Sequence, residues 1–336
     1  MKVSILVPVY NVEVYIQRCA ESLFKQSYSD CEFVFVNDCT PDNSIEVLKK
    51  CMKSYKFAHE RVKIIEHESN RGLAASRLTG LKNASGDCVM FVDSDDYLEL
   101  DAIETMVKNM EEEKCDIVSA GITHIFKNGR RFVDFPAQCD DIRECLKMML
   151  ERKVIMNAVA RLYKRDLFLK LENPFIEGIN FGEDYLMTSR IFYFSTKITY
   201  INKPVYNYIH TNSESYTFQF KRANLDNLLK VDSVITDFYQ RVGESDLMNC
   251  HIVGRMKLKS EQLIMFMRSD MQKSEDYEYL KGIFIESQNC KYIRRLSHQD
   301  RIILWLSEQL PLWAMKIYVR SGYMIKQVLK QIKQHN

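Results

Sequence analysis

Four short apolar runs in the first hundred residues, each separated from the next by a helical pattern, constrain this chain more than any other feature. VSILVPVY (3–10), EFVFVN (32–37), VKIIEH (62–67) and DCVMFVD (87–93) have strand length and β-branched content. Between them Ile16, Cys19, Ala20, Leu23 and Phe24 share one helical face, as do Leu48, Cys51, Met52 and Tyr55. Leu73, Ala74, Leu78 and Leu81 make a third. Strand and helix alternating at this spacing predict an α/β chain with a mostly parallel sheet covered on both faces by right-handed crossovers. Composition agrees, because 46% apolar and 27% charged residues describe an ordered globular protein. Eleven Gly and six Pro are too few for a turn-rich all-β fold. A formal charge of +2 over 336 residues argues against nucleic-acid binding by bulk electrostatics.

In parallel sheets ligands bind beyond the carboxyl ends of the strands. Here that rim carries Pro8, Tyr10 and Asn11 after the first run, Asp38 to Asp42 after the second, and Asp93-Ser94-Asp95-Asp96 after the fourth. The glycine-rich dinucleotide fingerprint and the phosphate loop ending in Gly-Lys-Ser/Thr are both absent. A bound phosphate therefore needs another charge partner. Alternate residues of an extended segment point the same way, so Asp93 and Asp95 can converge on one cation. Hard oxygen ligands favour Mg2+ or Mn2+. On spacing alone the pair reads first as caps for a following helix and only second as metal ligands, and Asp101 reads as the cap of the helix bearing Ile103, Met106, Val107 and Met110.

SILVPVYN, FVNDCTPDNS, NRGLAASRLTG and ASGDCVMFVDSDD together resemble, in order and spacing, the family-two inverting glycosyltransferases with a GT-A fold of the bacterial surface-polysaccharide type. The resemblance is strong over residues 3–100 and continues more loosely to about 215. It implies that Pro8, Tyr10 and Asn11 line the nucleotide pocket and that Asp38 accepts a hydrogen bond from base or ribose. Asn70, Gly72 and Arg77 would shape the loop and helix under the nucleotide, with Arg71 reaching it. Asp93 and Ser94 would lie near the ribose and the metal's water, and Asp95 would be the direct ligand of Mn2+ or Mg2+. Tyr10 also reads as packing, and Arg77 as a tie from helix to sheet. Cys39-Thr40-Pro41 and Leu78 depart from the family's usual Gly-Ser and Asn without removing a charge.

Beyond residue 100 the chain reads as an acceptor half. CDIVSAGITHIF and RFVDF flank the turn Lys127-Asn128-Gly129-Arg130, a hairpin signal. Asp140 is expected to start a helix through Ile142, Leu146, Met149 and Leu150, and NAVARLYK (157–164) a strand. In GINFGEDYLMTSRIFYF (178–194) Glu183 and Asp184 open a helix whose inner face holds Leu186, Met187, Ile191 and Phe192. Spacing alone makes the two acids dipole partners. The resemblance makes Asp184 the catalytic base and Glu183 its orienting neighbour. ITYINKPVYNYIHTNSESYT (198–217) reads as two short strands and a polar loop, with His210 either solvated or a further metal contact.

These readings divide the chain into a transferase domain over 1–218 and a helical region over 219–336. Both Trp residues fall in the last segment, where Ile325, Val328, Leu329 and Ile332 form one face flanked by Lys326, Lys330 and Lys333. That segment, 301–334, reads either as an interfacial helix on a membrane surface or as a helix docked on the core. The ten cysteines form no Cys-x-x-Cys pair and read as buried reduced thiols. No signal peptide or membrane-spanning run is expected, which places the chain in the cytoplasm, peripheral on the membrane's inner face if the tail binds. The expected partners are a nucleotide-sugar donor, expected to be a UDP sugar, and a glycan or lipid-linked acceptor, with no nucleic acid. The Gln-x-x-Arg-Trp motif of processive synthases is absent. The competing readings are a sugar-phosphate nucleotidyltransferase, which lacks its basic glycine loop here, and a non-catalytic nucleotide-sugar-binding module.

Overall fold

The computed structural model describes residues 1–139, 141–154, 157–210, 220–269, 273–285 and 291–322. It forms two compact units, one of Met1–Leu146 with Val154–Ser215 and one of Lys147–Lys153 with Tyr216–Asn336. Asp140, the polar loop at 211–217 and the face from Ile325 to Ile332 lie outside the described residues.

The first unit is built on one sheet. Its strands are β1 (Val3–Val9), β2 (Cys31–Asn37), β3 (Val62–Glu66), β4 (Cys88–Phe91), β5 (Tyr97–Leu98), β6 (Ile117–Ile125), β7 (Arg131–Asp134), β8 (Arg161–Lys164) and β9 (Ile198–Ile209). They lie in the order β3-β2-β1-β4-β8-β6-β9-β5, with β7 paired to β6. The first four are parallel, and β8 enters antiparallel between β4 and β6. The register ends β1 and β2 together, Val9 opposite Asn37. Asp38 N–H then donates to Val9 O (3.0 Å), His67 N–H to Asn37 O (2.9 Å) and Val92 N–H to Leu6 O (3.0 Å). Three loops therefore leave the sheet along one edge.

The apolar runs are continuous because both faces of the strands are covered. Ile5, Val7, Phe33 and Phe35 pack with Ile16, Leu23, Leu48, Ile103 and Met106 on one side. On the other the Leu73–Lys82 helix lies close to β1 and β2, where a Cβ on Gly80 would stand 3.4 Å from Leu6. That helix differs from the sequence expectation. Its buried positions are Ala74, Ala75, Ser76, Arg77 and Gly80, while Leu78 and Leu81 are only half-buried. Small residues face the sheet, and an arginine joins them.

The hairpin forms as expected, with Gly129 at φ +77° in its turn. Residues 198–209 form one strand rather than two. Pro204, which has no N–H for a ladder, is accommodated by a break in register, where Ala120 pairs Ile201 but Gly121 pairs Pro204. Asp101 stands before the Ala102–Glu113 helix but makes no side-chain cap, its carboxylate pairing with Lys203 instead.

The second unit is helical, with helices at Arg222–Arg241, Ser245–Arg268, Ser274–Gly282 and His298–Gln309 and a further one over 312–322. Gly254 lets the longest pass against the Leu150 carbonyl, where a Cβ would stand 2.0 Å away. Buried Asp232 accepts from Arg255 Nε (2.7 Å) and pairs with His251 (3.0 Å). Among the described cysteines six are buried and Cys39 is exposed, with burial raising Cys31 and Cys88 to about 12. No described helix is long and apolar enough to cross a membrane.

Candidate active site

The acidic motif follows β4 directly. Asp96 N–H donates to Asp93 O (3.0 Å), closing a turn that leaves Asp93 and Asp95 partly exposed and Ser94 buried. Asp96 has a different task. It is buried, takes Tyr206 O–H on Oδ2 (2.7 Å) and Ile209 N–H on Oδ1 (2.8 Å), and so ties the motif to β9. Burial, with the charges of Asp95 and Asp93, raises its carboxyl well above the ordinary range against the Tyr206 hydrogen bond. Tyr206 also accepts the Asp93 N–H (3.1 Å). Arg18 donates to the Asp95 carbonyl (3.2 Å) from above the Tyr97 ring.

Arg77 gathers the acids. Its guanidinium, only 2% exposed, donates through Nη2 to Asp93 (2.9 Å) and through Nη1 to Glu183 (3.0 Å) and to Asp184. The Glu183–Phe194 helix begins after Gly182 in a left-handed turn, φ +86°. That turn sets both acids on the first coil, facing Arg77. Asp184 also accepts the Ala158 N–H on Oδ2 (3.0 Å), so each of its oxygens is fixed by one donor and each keeps a second lone pair. Arg161 braces the same segment, bonding Asn157 O and Ser119 (3.2 Å). Burial raises the Glu183 carboxyl to about 8, Asp184 adding to the effect and Arg77 opposing it.

A pH dependence follows from that shift. The folded protein holds the Glu183 proton up to about 8 where the unfolded chain releases it near 4.5. The resulting stabilisation is complete below 4.5 and is lost as pH rises through about 8. Thermal melts across that window are expected to fall with pH more steeply in the wild type than in Glu183→Gln.

Asp38 forms the second centre. Its carboxylate accepts Arg71 N–H (2.9 Å) and Gly72 N–H (2.7 Å) and bonds the His67 ring at 2.7 Å, the other ring nitrogen meeting Thr79 at 2.9 Å. This fixes the 70–72 loop. Gly72 has φ +86°, and a Cβ there would stand 2.2 Å from the Asn180 amide, so no other residue fits. Asn180 accepts the Ala74 N–H (3.2 Å), and Arg71 forms a bidentate pair with Glu177 (2.9 and 2.7 Å). Asn70 and Tyr10 are exposed, and Pro8 is half-buried. Asn11, with φ +54°, donates its N–H to Thr40 (2.8 Å). Thr40 and Ser44 donate to Asp42 (both 2.6 Å), which accepts the Glu13 N–H (2.8 Å). The unusual Cys39-Thr40-Pro41 turn thus braces the loop after β1.

His210 belongs to another cluster. Its Nε2 meets His124 Nδ1 at 2.9 Å, and its ring lies parallel to Phe126 at 4.3 Å. Burial lowers the His210 pKa, and His124 adds to this. Among the described residues no group of three or more His, Cys, Asp or Glu side chains stands ready to hold a metal ion. Asp93 and Asp95 are partly exposed carboxylates, the donor type of which a magnesium-like cation takes one or two while phosphate and water complete its shell.

The family model Glycosyl transferase family 2 matches residues 4–171, and the chain belongs to that family. The glycosyltransferase EpsJ of Bacillus subtilis, itself uncharacterized, is 32% identical over 249 residues, 72% of this chain and 70% of that protein. Glycosyltransferase GlyA of Streptococcus pneumoniae is 36% identical over 62% of this chain, which spans only 30% of its length. The crystal structure of Staphylococcus aureus TarS 1–349 in complex with UDP superposes with a TM-score of 0.71 at 20% identity, covering 97% of this chain and 92% of that one. The fold is thus the GT-A type with a helical C-terminal region.

Proposed function

We propose that this chain is an inverting, non-processive glycosyltransferase that moves one sugar from a UDP sugar to a glycan or lipid-linked oligosaccharide in surface-polysaccharide synthesis. The observation that carries the reading is the Arg77 guanidinium, which joins the strand-end Asp93 to the helix-start Asp184. A donor-side acid and a base candidate thereby share one site. Related proteins support the donor class, since TarS has been crystallised with UDP and with UDP-GlcNAc.

Three of the four lone-pair positions of Asp38 are taken, which leaves one for an N–H of the base. Pro8, Tyr10 and Asn11 line the other side of that pocket, with Asn70 and Ser94 at its margins. Asp95 and Asp93 would hold Mn2+ or Mg2+, which supplies Lewis-acid relief of the charge on the leaving diphosphate.

As the acceptor hydroxyl oxygen bonds to the anomeric carbon, the bond from that carbon to the diphosphate oxygen breaks. Asp184 takes the hydroxyl proton, and UDP leaves with the bonding pair. Attack from the opposite face inverts the centre, with Arg77 and Glu183 holding the base in line. A lipid-linked acceptor would place this at the cytoplasmic face of a membrane, with contact through 301–334.

Calorimetric titration with nucleoside diphosphates and their sugars, with and without Mn2+, tests the reading. Binding of a UDP species that strengthens with Mn2+ is expected. A folded protein that binds none of them overturns it.

A further inference from the structure

The last two described helices carry apolar side chains on two opposite sides. The His298–Gln309 helix buries Ile303, Leu304 and Ser307, and the helix over 312–322 buries Met315 and Val319. These are the stripes by which helices dock on a core. On the outward sides, where a solvated helix carries charge, stand Trp305 at 61% exposure, Trp313 at 67% and Ile317 at 63%. Trp313 and Ile317 are one turn apart and form a ridge. Arg320 donates to Met267 O and Ser269 O, both at 3.2 Å, and so holds the second helix with that ridge outward.

We propose that Trp305, Trp313 and Ile317 lie in the headgroup layer of an anionic bilayer. Indole rings favour that layer because they present a large apolar body and one N–H donor. Charge selects the occupant. From Arg301 to Asn336 the sequence holds six Lys or Arg against a single acid, Glu308, whereas the whole chain has 47 basic and 45 acidic residues. Such an excess is drawn to anionic lipid, and it sets a second copy of the same face against like charge. No described helix can span a membrane, so the contact lies in the plane of the surface. The proposal rests on the membrane contact of the proposed function and assigns it residues, independently of which sugar is moved.

Trp305 and Trp313 are the only two tryptophans of the chain, so its intrinsic fluorescence reads this surface without a label. Full-length protein is titrated with vesicles of phosphatidylglycerol and phosphatidylcholine in equal parts, then of phosphatidylcholine alone. The emission is expected to shift to shorter wavelength and the protein to sediment with the anionic vesicles, with about tenfold weaker partitioning onto neutral ones. Ile317→Asp keeps both reporters and is expected to lower partitioning by about tenfold at an unchanged circular dichroism spectrum. Unshifted emission and no sedimentation, in protein that still binds a UDP sugar, overturn the proposal and leave the transferase reading standing. A shift that grows with protein concentration in the absence of lipid also overturns it, assigning the ridge to a second copy. Vesicle binding without any nucleotide-sugar binding keeps the ridge and removes the transferase reading.

Discussion

Replacing Arg77 with alanine is expected to cost the protein about 3–5 kcal/mol of stability and to abolish transfer. The guanidinium is buried and is the shared partner of Asp93, Glu183 and Asp184. Without it Asp93 and Asp184 lose the charge that offsets their partial burial, and the Glu183 carboxyl loses its donor. Arg77→Lys separates charge from shape, because an ammonium cannot spread its donors across separate acids as a planar fork does. It should recover part of the stability in urea unfolding while transfer stays low. Unchanged stability in Arg77→Ala would show that the acids do not depend on it.

Asp184→Asn should reduce transfer by about 10²- to 10⁴-fold, the usual contribution of a general base. Donor binding should persist, since Asp184 bonds Arg77 and Ala158 while Asp38 bonds His67, Arg71 and Gly72. The amide cannot accept from both Arg77 and the Ala158 N–H in the way the carboxylate does. A stability loss of about 1 kcal/mol therefore accompanies the change. Comparing single-turnover transfer with calorimetric donor affinity separates the two effects. Transfer at the wild-type rate would remove Asp184 from the base role.

The parallel half of the sheet was legible because strands buried on both faces write themselves as unbroken apolar runs, and Asn128-Gly129 marked its hairpin. The inner face of the Leu73–Lys82 helix was not. Periodicity finds leucines, but here the sheet is met by Ala74, Gly80 and Arg77, and an arginine can be buried only when its acidic partners are known. Those partners stand 16, 106 and 107 residues away. Asp96 was hidden for a related reason, since nothing local separates an anchoring acid from its neighbours Asp93 and Asp95. Its signal lies in Tyr206 and Ile209 on a distant strand. Thr40 and Asp42 were visible only as an odd turn, whose purpose emerges from the loop after β1. Residues 198–209 read as two strands because the break in register that accommodates Pro204 opposite Gly121 cannot be read from one strand alone.

The reach of Arg77 also limits how this protein can be taken apart. A fragment ending at residue 171, where the family match stops, would carry every residue of the nucleotide rim. It would also carry a buried guanidinium that kept Asp93 but had lost Asp184 and the Glu183 carboxyl, both partners of its Nη1. Such a piece should express poorly or collapse loosely. Dissection into a donor-binding half would have to extend at least through the Glu183–Phe194 helix to keep the Nη1 of its buried arginine partnered.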